Sequence, residues 1–289
     1  MRIMNCPMFD GFINLKKPAN MTSHDAVNLV RRNLHTKKVG HGGTLDPAAV
    51  GVLPVAVGRA TKFLEYITDC DKTYRADILF GVSTDSGDLD GEIISRVENF
   101  KMPALEEINA ALKNFIGQIE QTPPKHSAIK INGRKAYDLA RKNIDFEMPR
   151  RVVTIHQIKI LSITENILTL EIDCAKGTYI RSLAADIGES LNLPAALKFL
   201  TRVRVGNFNL ADSCDFENLK MLPVDFCLSH IKNFELPSRR IKAFCNGLPT
   251  NVEENDALVK VYAEEKFLGI GKIRAGELRS EKLFIDSSI

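Results

Sequence analysis

A glycine-rich segment near the N-terminus carries the side chain best suited to chemistry. Residues 40–47 read Gly-His-Gly-Gly-Thr-Leu-Asp-Pro, and glycines at three of the first four positions let a backbone approach a ligand closely. Asp46 supplies a carboxylate, which is ionised at neutral pH and can form and release a covalent link to a substrate. An Asp-Pro pair is also a usual helix start with the aspartate as the N-cap, so the pattern alone leaves a structural role open.

Two ring side chains lie in short motifs near this aspartate. His41 follows Gly40 in a predicted loop, where a histidine is either incidental or, near a polyanion, able to stack on or insert between bases. Tyr74 opens a predicted strand in the motif Lys-Thr-Tyr-Arg, where a tyrosine commonly serves packing. Neither residue by itself identifies a site.

A third motif, Lys-Gly-Thr-Tyr-Ile-Arg at residues 176–181, joins a strand end to a predicted helix. Thr178 is the expected helix cap, which places Arg181 in the first turn. A cation at that end opposes the helix dipole by roughly 0.3–1 kcal/mol when exposed. The position therefore favours a fixed anionic partner for Arg181, and Asp46 is a candidate.

The elements that would position these residues do not alternate regularly. Residues 84–91, rich in aspartate and glycine, predict a hairpin turn between two strands. Helices are predicted over 22–34, 103–117, 134–143 and 179–193. Strands are predicted over 74–82, 92–97, 152–163, 167–174, 202–208, 257–262, 266–274 and 278–285. The absence of a βαβ rhythm predicts an α+β fold with a mixed, largely antiparallel sheet and flanking helices.

Length and composition describe an ordinary globular chain. The 289 residues, 44% apolar and 26% charged, suggest one large domain over 1–235 and a small β-rich one over 236–289. No apolar run reaches membrane-spanning length, and six scattered cysteines suit a reducing compartment, so a cytoplasmic protein is expected. Neither zinc-type spacing nor a nucleotide-binding glycine motif occurs, so no metal or nucleotide cofactor is expected.

Charge is unevenly distributed along the chain. The net charge is +3, but residues 1–42 and residues 122–151 each carry +5. Two basic blocks on a nearly neutral chain point to a polyanion partner, although such runs are also common on solvated faces.

These segments occur together in one known family. Gly-His-x-Gly-Thr-Leu-Asp-Pro at 40–47, Gly-Val-Leu-Pro at 51–54, Lys-Thr-Tyr-Arg at 72–75 and Lys-Gly-Thr-Tyr-Ile-Arg at 176–181 appear in the same order and at suitable spacing. The sequence from about residue 10 to residue 208 resembles the tRNA pseudouridine-55 synthase (TruB) family.

The resemblance implies a pseudouridine synthase catalytic domain followed by a small RNA-binding domain of the PUA type. The implied reaction isomerises the T-loop uridine at position 55 of tRNA. The base flips out, the C1′–N1 glycosidic bond breaks, and C5 bonds to C1′. The family uses no cofactor or metal, and a monomer that needs no protein partner is expected to act on the tRNA T arm.

The resemblance also assigns roles to residues. Asp46 matches the catalytic aspartate, and Arg181 matches the arginine that pairs with it and holds it ionised. Tyr74 matches the tyrosine that stacks on the target base and whose hydroxyl helps to move the C5 proton. Tyr179 and Leu200 match residues that line the base pocket.

RNA-contacting residues are implied as well. His41 matches the residue that takes up space in the T loop when bases flip out. Lys17 is expected near the active site, in contact with RNA. The basic block over about 122–151 matches an insertion that grips RNA through Lys125, Lys130, Arg134 and Lys135.

The sequence departs from the family pattern at one place, and two alternative functions stay open. Residues 201–203 read Thr-Arg-Val, where the family often has Arg-Arg-Thr, which puts arginine contacts there in question. A non-catalytic RNA-binding protein or tRNA folding helper would need the basic blocks but not Asp46, Tyr74 and Arg181. A guide-RNA-dependent subunit of a larger particle would look similar around Asp46 but would not need its own RNA-gripping insertion.

Overall fold

The computed structural model describes residues 9–127, 129–131, 133–142 and 144–284. These residues form six α-helices: α1 (Ser23–Asn33), α2 (Leu64–Thr68), α3 (Leu105–Lys113), α4 (Ala136–Ala140), α5 (Ile180–Ser190) and α6 (Ile241–Cys245). None of the helices in these ranges is long and apolar enough to cross a membrane.

The same ranges contain nineteen strands, many of them short. In chain order they are β1 (Gly11–Lys17), β2 (Val39–His41), β3 (Val50–Val57), β4 (Lys72–Phe80), β5 (Val82–Thr84), β6 (Ile93–Arg96), β7 (Gly117–Gln121), β8 (Lys130–Ile131), β9 (Arg134–Lys135), β10 (Arg151–Thr164), β11 (Ile167–Cys174), β12 (Ala195–Val205), β13 (Phe208–Asn209), β14 (Met221–Leu222), β15 (Lys232–Glu235), β16 (Thr250–Asn251), β17 (Ala257–Ala263), β18 (Lys266–Arg274) and β19 (Glu277–Leu283).

A ten-stranded sheet forms the centre of the molecule. Its main path runs β14-β1-β3-β12-β4-β11-β10-β7, with β2 paired to β3 and β13 paired to β12. Every pairing in it is antiparallel except that of β3 with β12, which is parallel. The predicted α+β class with a mixed, largely antiparallel sheet is confirmed.

Helix α1 shows how local sequence produces an element here. Thr22 and Asp25 form a capping box, in which each side chain bonds the other residue's backbone N–H at 3.0–3.2 Å. Ala26, Val27 and Val30 recur on one face and are buried against β1 and β3. The helix predicted over 22–34 is confirmed.

Helix α5 covers the centre of the sheet. Leu183, Ala184 and Ile187 are fully buried in a core that also contains apolar residues of β4, β11 and β12. This packing places the first turn of α5, and with it Arg181, against the sheet.

Two expected elements differ from the structure. The strand predicted over 202–208 begins earlier, at Ala195, because Ala195 and Ala196 are buried in the sheet despite their weak strand preference. No helix follows Asp46; the segment bends there, and β3 begins at Val50. The predicted hairpin around 84–91 is confirmed, because β5 and β6 pair on either side of it.

A second sheet lies near the C-terminus, in the order β15-β17-β18-β19-β16. Its first strand starts at Lys232, on the N-terminal side of the boundary expected near 236. Ile270 of this sheet shares a buried cluster with Phe12 and Phe63 of the large domain, and the ring of Phe267 lies 5.8 Å from that of Phe63. The two parts of the chain are therefore joined by an aromatic contact.

Replacing Phe63 by alanine is expected to lower the free energy of unfolding by about 3–5 kcal/mol, because the ring is fully buried at this junction. Urea unfolding followed by circular dichroism measures the change. Phe199→Ala is the matched control, since its ring is 43% exposed, and should change stability by less than about 0.5 kcal/mol. Equal losses in the two variants would contradict the role of Phe63.

Candidate active site

Asp46 lies in the irregular segment between β2 and β3, and the backbone on its N-terminal side is held by α1. The Ser23 hydroxyl accepts a hydrogen bond from the Leu45 N–H (2.8 Å) and donates one to the Leu45 carbonyl (3.1 Å). Leu45 itself is buried in the core beneath the sheet. These contacts fix the chain one residue before the carboxylate.

The glycines of this segment serve packing inside the protein. A side chain at Gly42 would meet Ile67 at 2.5 Å, and one at Gly40 would meet Leu64 at 2.8 Å. Gly43 has a φ of +117°, which favours glycine. Gly40 and Gly42 therefore allow this segment to pack closely against α2.

Lys17 supports the segment on the other side of Asp46. Its side chain is fully buried, and Nζ donates to the carbonyls of Pro18 (2.8 Å), Met21 (2.7 Å) and Pro47 (3.1 Å). Burial lowers the pKa of Lys17 to about 8, against the opposing effect of the Asp46 charge. The prediction that Lys17 contacts RNA is wrong, because its donors are used on carbonyls; its expected place near Asp46 is correct.

Arg181 meets Asp46 in an ion pair, as the sequence suggested. Arg181 Nε lies 3.0 Å from Asp46 Oδ2, and the two side chains are 7% and 41% exposed. The guanidinium also donates to the carbonyls of Ser86 (3.1 Å) and His126 (2.9 Å). A buried arginine with these partners presents one half-exposed carboxylate at a fixed orientation.

The cap of the helix that carries Arg181 differs from expectation. Tyr179, not Thr178, is the N-cap of α5, and the Thr178 hydroxyl donates instead to the Ala175 carbonyl (3.1 Å). Gln121 holds Tyr179 by two bonds to its backbone, at 2.8 and 3.0 Å. Arg181 still lies in the first turn, where its carboxylate partners offset the unfavourable helix dipole.

A second carboxylate, missed by sequence reasoning, also faces Arg181. Asp88 Oδ2 lies 3.6 Å from Arg181 Nε, in the tight turn that joins β5 and β6. The Ser86 hydroxyl donates to Asp88 Oδ1 at 2.5 Å and so orients the side chain. The aspartate-rich composition of 84–91 was the available signal, but it predicted only a turn.

The protonation of Asp46 reflects opposing influences. Burial raises the pKa of the Asp46 carboxyl above its ordinary value, the Arg181 charge opposes that rise, and the Asp88 charge adds to it. The expectation that pairing would dominate and favour the ionised form is therefore corrected. Arg181 limits the rise that burial produces.

Tyr74 and Leu200 lie on the neighbouring strands β4 and β12. Tyr74 on β4 is half-buried and packs against the core cluster that contains Leu200 and Leu45. Burial raises the pKa of the Tyr74 hydroxyl, while the nearby Arg202 guanidinium opposes the rise through its charge and a hydrogen bond. Tyr74, Leu200 and Asp46 thus belong to one region.

Arg202 is a further residue that sequence reasoning did not select. Its side chain is 1% exposed, and it donates to the carbonyls of Gly43 (3.1 Å), Thr44 (3.2 Å) and Val52 (2.8 Å). The departure at residues 201–203 had put arginine contacts there in question. The structure shows that Arg202 makes internal contacts with the segment that leads to Asp46.

His41 ends β2 and is half-buried, so the predicted exposed loop position is corrected. Its Nδ1 is buried and has no hydrogen-bond partner among the described residues. Burial and the Arg202 charge lower the pKa of His41, which favours a neutral ring at pH 7.

The predicted insertion lies beside the site and reaches it directly, because the His126 carbonyl accepts from Arg181. Lys125 is exposed and lies 3.5 Å from Asp145. Lys130 and Arg134 are exposed on the β8–β9 hairpin, and neither forms an ion pair with another described residue. The side chain of Lys135 lies outside the described part of the chain. Across the ranges that the structure covers, no group of three potential metal ligands is present.

The chain matches two family models. Residues 31–180 match the model described as TruB family pseudouridylate synthase (N terminal domain), and residues 233–284 match the model described as Pseudouridine synthase II TruB, C-terminal.

Full-length relatives carry a consistent name. A protein of Alkaliphilus oremlandii named tRNA pseudouridine synthase B is 40% identical over 281 residues, which is 92% of this chain and 93% of that protein. A protein of Clostridium kluyveri with the same name is 41% identical, covering 96% of this chain and all of that protein.

Solved structures share the fold at lower identity. A chain of a Cbf5–Nop10–Gar1 complex has a TM-score of 0.76 at 23% identity, covering 99% of this chain and 88% of that one. A chain of an H/ACA RNP bound to a substrate RNA containing 2′-deoxyuridine has a TM-score of 0.74 at 21% identity, covering 99% and 93%.

The matched family models and the named relatives show a pseudouridine synthase, an enzyme class that isomerises uridine within RNA. Within that class, the matched models and full-length relatives show that the chain belongs to the TruB family.

The two charged neighbours of Asp46 are expected to shift its pKa in opposite directions. Arg181→Met removes a cation that favours the carboxylate, so the Asp46 pKa rises further and protonation persists to higher pH. Asp88→Asn removes a repelling anion, so the Asp46 pKa falls. A titration of ¹³Cγ-labelled aspartates by NMR, with the Asp46 resonance assigned from its loss in Asp46→Asn, measures both shifts.

Arg75→Met serves as the control for this titration, because Arg75 pairs with Glu171 at 2.9 Å on the surface. It should leave the Asp46 resonance unchanged. Shifts of the same sign in Arg181→Met and Asp88→Asn would contradict the assigned electrostatics.

Proposed function

We propose that this enzyme isomerises the T-loop uridine at position 55 of tRNA to pseudouridine, as a monomer acting in the cytoplasm without a protein partner. The observation that carries the proposal is the 3.0 Å pair of Arg181 with a half-exposed Asp46. Relatives that match almost the whole chain are named tRNA pseudouridine synthase B, which supports tRNA as the substrate.

In this proposal Asp46 breaks the glycosidic bond. Its carboxylate attacks the sugar or the base, or assists elimination, while Arg181 holds it in place. The base is released from C1′, turns, and bonds through C5. Tyr74 stacks on the base and accepts the C5 proton, which restores the ring double bond. Tyr179 and Leu200 line the pocket around the base.

The target uridine must leave its stack to reach Asp46. Flipping costs a few kcal/mol of lost stacking, which aromatic contacts inside the pocket can offset. A neutral, half-buried His41 suits insertion into the space left in the T loop. The small C-terminal domain, over about 236–289, is proposed to add a PUA-type RNA contact.

The insertion over about 122–151 is proposed to grip the RNA backbone. Lys125, Lys130, Arg134 and Lys135 are its phosphate contacts. Lys130 and Arg134 are exposed and form no ion pair with another residue that the structure describes, which suits this role. The His126 carbonyl of the same segment accepts a hydrogen bond from Arg181. The proposed RNA-binding segment is therefore attached to the side chain that pairs with Asp46. An enzyme that binds its substrate RNA through its own residues does not require a guide RNA.

Asp46→Asn is expected to retain tRNA binding and to lose pseudouridine formation, because the amide cannot act as a nucleophile or base. Release of tritium from tRNA labelled at uridine C5, with no added cofactor or guide, measures activity, and filter binding measures affinity. Asp77→Asn is the control. Asp77 on β4 accepts a hydrogen bond from the Thr169 hydroxyl on β11 (2.8 Å).

The outcomes of this assay separate the alternatives. Tritium release near one equivalent per tRNA supports a site-selective, stand-alone enzyme. Release from the Asp46→Asn variant at the wild-type rate would disprove the catalytic role of Asp46. No release by the wild-type protein, despite binding, would favour a folding helper or a guided subunit.

The double variant Lys130→Ala/Arg134→Ala is expected to weaken tRNA binding and to reduce the slope of log affinity against log salt by about 2, one unit for each lost phosphate contact. Affinity measured over a range of salt concentrations gives the slope. Lys101→Ala/Lys113→Ala, in two exposed cations outside both the insertion and the C-terminal domain, is the matched control. An unchanged slope in the insertion variant would remove these residues from the RNA contact.

A further inference from the structure

Arg202 occupies an unusual place for a charged side chain. It is 1% exposed and lies where β12 passes between β3 and β4. Among the residues that the structure describes, no carboxylate lies within ion-pair distance of its guanidinium. A buried charge is costly unless its surroundings compensate it, and such costs are concentrated at functional sites.

The close approach of strands at this point is specific. Arg202 pairs with Gly51 in the parallel contact of β12 with β3. A side chain at residue 51 would meet the Arg202 carbonyl at 2.2 Å. The glycine lets β3 come near enough for the guanidinium to reach the Val52 carbonyl at 2.8 Å. Strand pairing thus holds the backbone of Arg202, and the Val52 carbonyl holds its guanidinium.

The guanidinium of Arg202 donates three hydrogen bonds to backbone carbonyls around the proposed catalytic aspartate. Two go to Gly43 and Thr44, three and two residues before Asp46, and one goes to Val52 on β3. The planar fork of arginine can serve several acceptors at once, which a lysine ammonium cannot do in the same geometry.

The same guanidinium faces Tyr74. The two residues are direct partners in the antiparallel register of β12 with β4. The charge and hydrogen bonding of Arg202 oppose the burial that raises the pKa of Tyr74, whereas Cys174 and Asp46 add to that rise. Lys72, on the same strand, is no substitute, because its Nζ donates to the carbonyls of Thr68 (2.6 Å) and Cys70 (2.5 Å).

We propose that Arg202 is a positioning residue that acts through Tyr74. It locks the tyrosine to the Gly43–Thr44 backbone and stabilises the phenolate that accepts the proton from C5. In that step the Tyr74 phenol has first given its own proton to water. The C5–H bond then breaks, its electron pair forms the C5–C6 double bond, N1 takes up a proton from water, and the Tyr74 oxygen takes the C5 proton. The inference rests on the proposed function of Tyr74 as the acceptor.

A double-mutant cycle tests this coupling. Single-turnover rates on tRNA are measured for the wild type, Arg202→Met, Tyr74→Phe and the double variant, with tRNA affinity measured in parallel. Arg202→Met is expected to slow the reaction by about 100-fold, the usual scale of a lost acid–base contribution, with affinity retained. The double variant is expected to lie within about twofold of Tyr74→Phe, because both changes remove the same step.

An isotope effect gives a second readout that a purely structural role would not move. With tRNA deuterated at uridine C5, the primary isotope effect on the rate is expected to rise in Arg202→Met, because proton removal becomes slow. Arg204→Met is the matched control: it lies two residues further along β12, pairs with Asp173 at 2.5 Å, and is half-exposed. It should keep the wild-type rate and isotope effect.

Each outcome of the cycle has a defined meaning. If Arg202→Met and Tyr74→Phe slow the reaction by factors that multiply, Arg202 acts independently of Tyr74 and the inference is wrong. If Tyr74→Phe keeps the wild-type rate, the proposed role of Tyr74 fails and the inference fails with it. If Arg202→Met does not fold by circular dichroism, Arg202→Lys, which keeps the charge but not the fork, replaces it in the same cycle.

Discussion

The guanidinium of Arg181 is the point on which the rest of the site depends. It pairs with Asp46, faces Asp88, and donates hydrogen bonds to the carbonyls of residues 86 and 126. Three loops from separate parts of the chain therefore converge on one buried side chain. Because one face of α5 is buried in the core, this side chain starts from a firmly packed helix, which pre-organises the carboxylate.

Two other buried cations complete the arrangement without meeting Asp46 directly. Lys17 holds the carbonyl after the aspartate, and Arg202 holds the carbonyls before it. Their charges are compensated by carbonyl dipoles, so the carboxylate keeps one side open to solvent. The positive charges of Lys17 and Arg202 therefore hold backbone carbonyls near Asp46, whereas Lys130 and Arg134 carry exposed charge on the β8–β9 hairpin.

Motifs and periodicity predicted the fold class, helix α1, the hairpin around 84–91 and the pairing of Asp46 with Arg181. They did not predict Asp88, because an aspartate in a tight turn has a sufficient local explanation. They placed Lys17 on RNA because a lysine near a proline gives no sign of burial. Arg202 was passed over because its function depends on β3, β4 and β12 meeting, and such tertiary contacts leave no local pattern.

The parallel contact of β3 with β12 joins Val50 to Thr201, across about half of the chain. Contacts between such distant residues form late, since a long loop must close before they are made. During synthesis the insertion leaves the ribosome before β12 does. The basic segment at 122–151 is therefore synthesised before the strand that carries Arg202, so the backbone at Gly43 and Thr44 gains its hydrogen bonds from Arg202 only after residue 202 has been made.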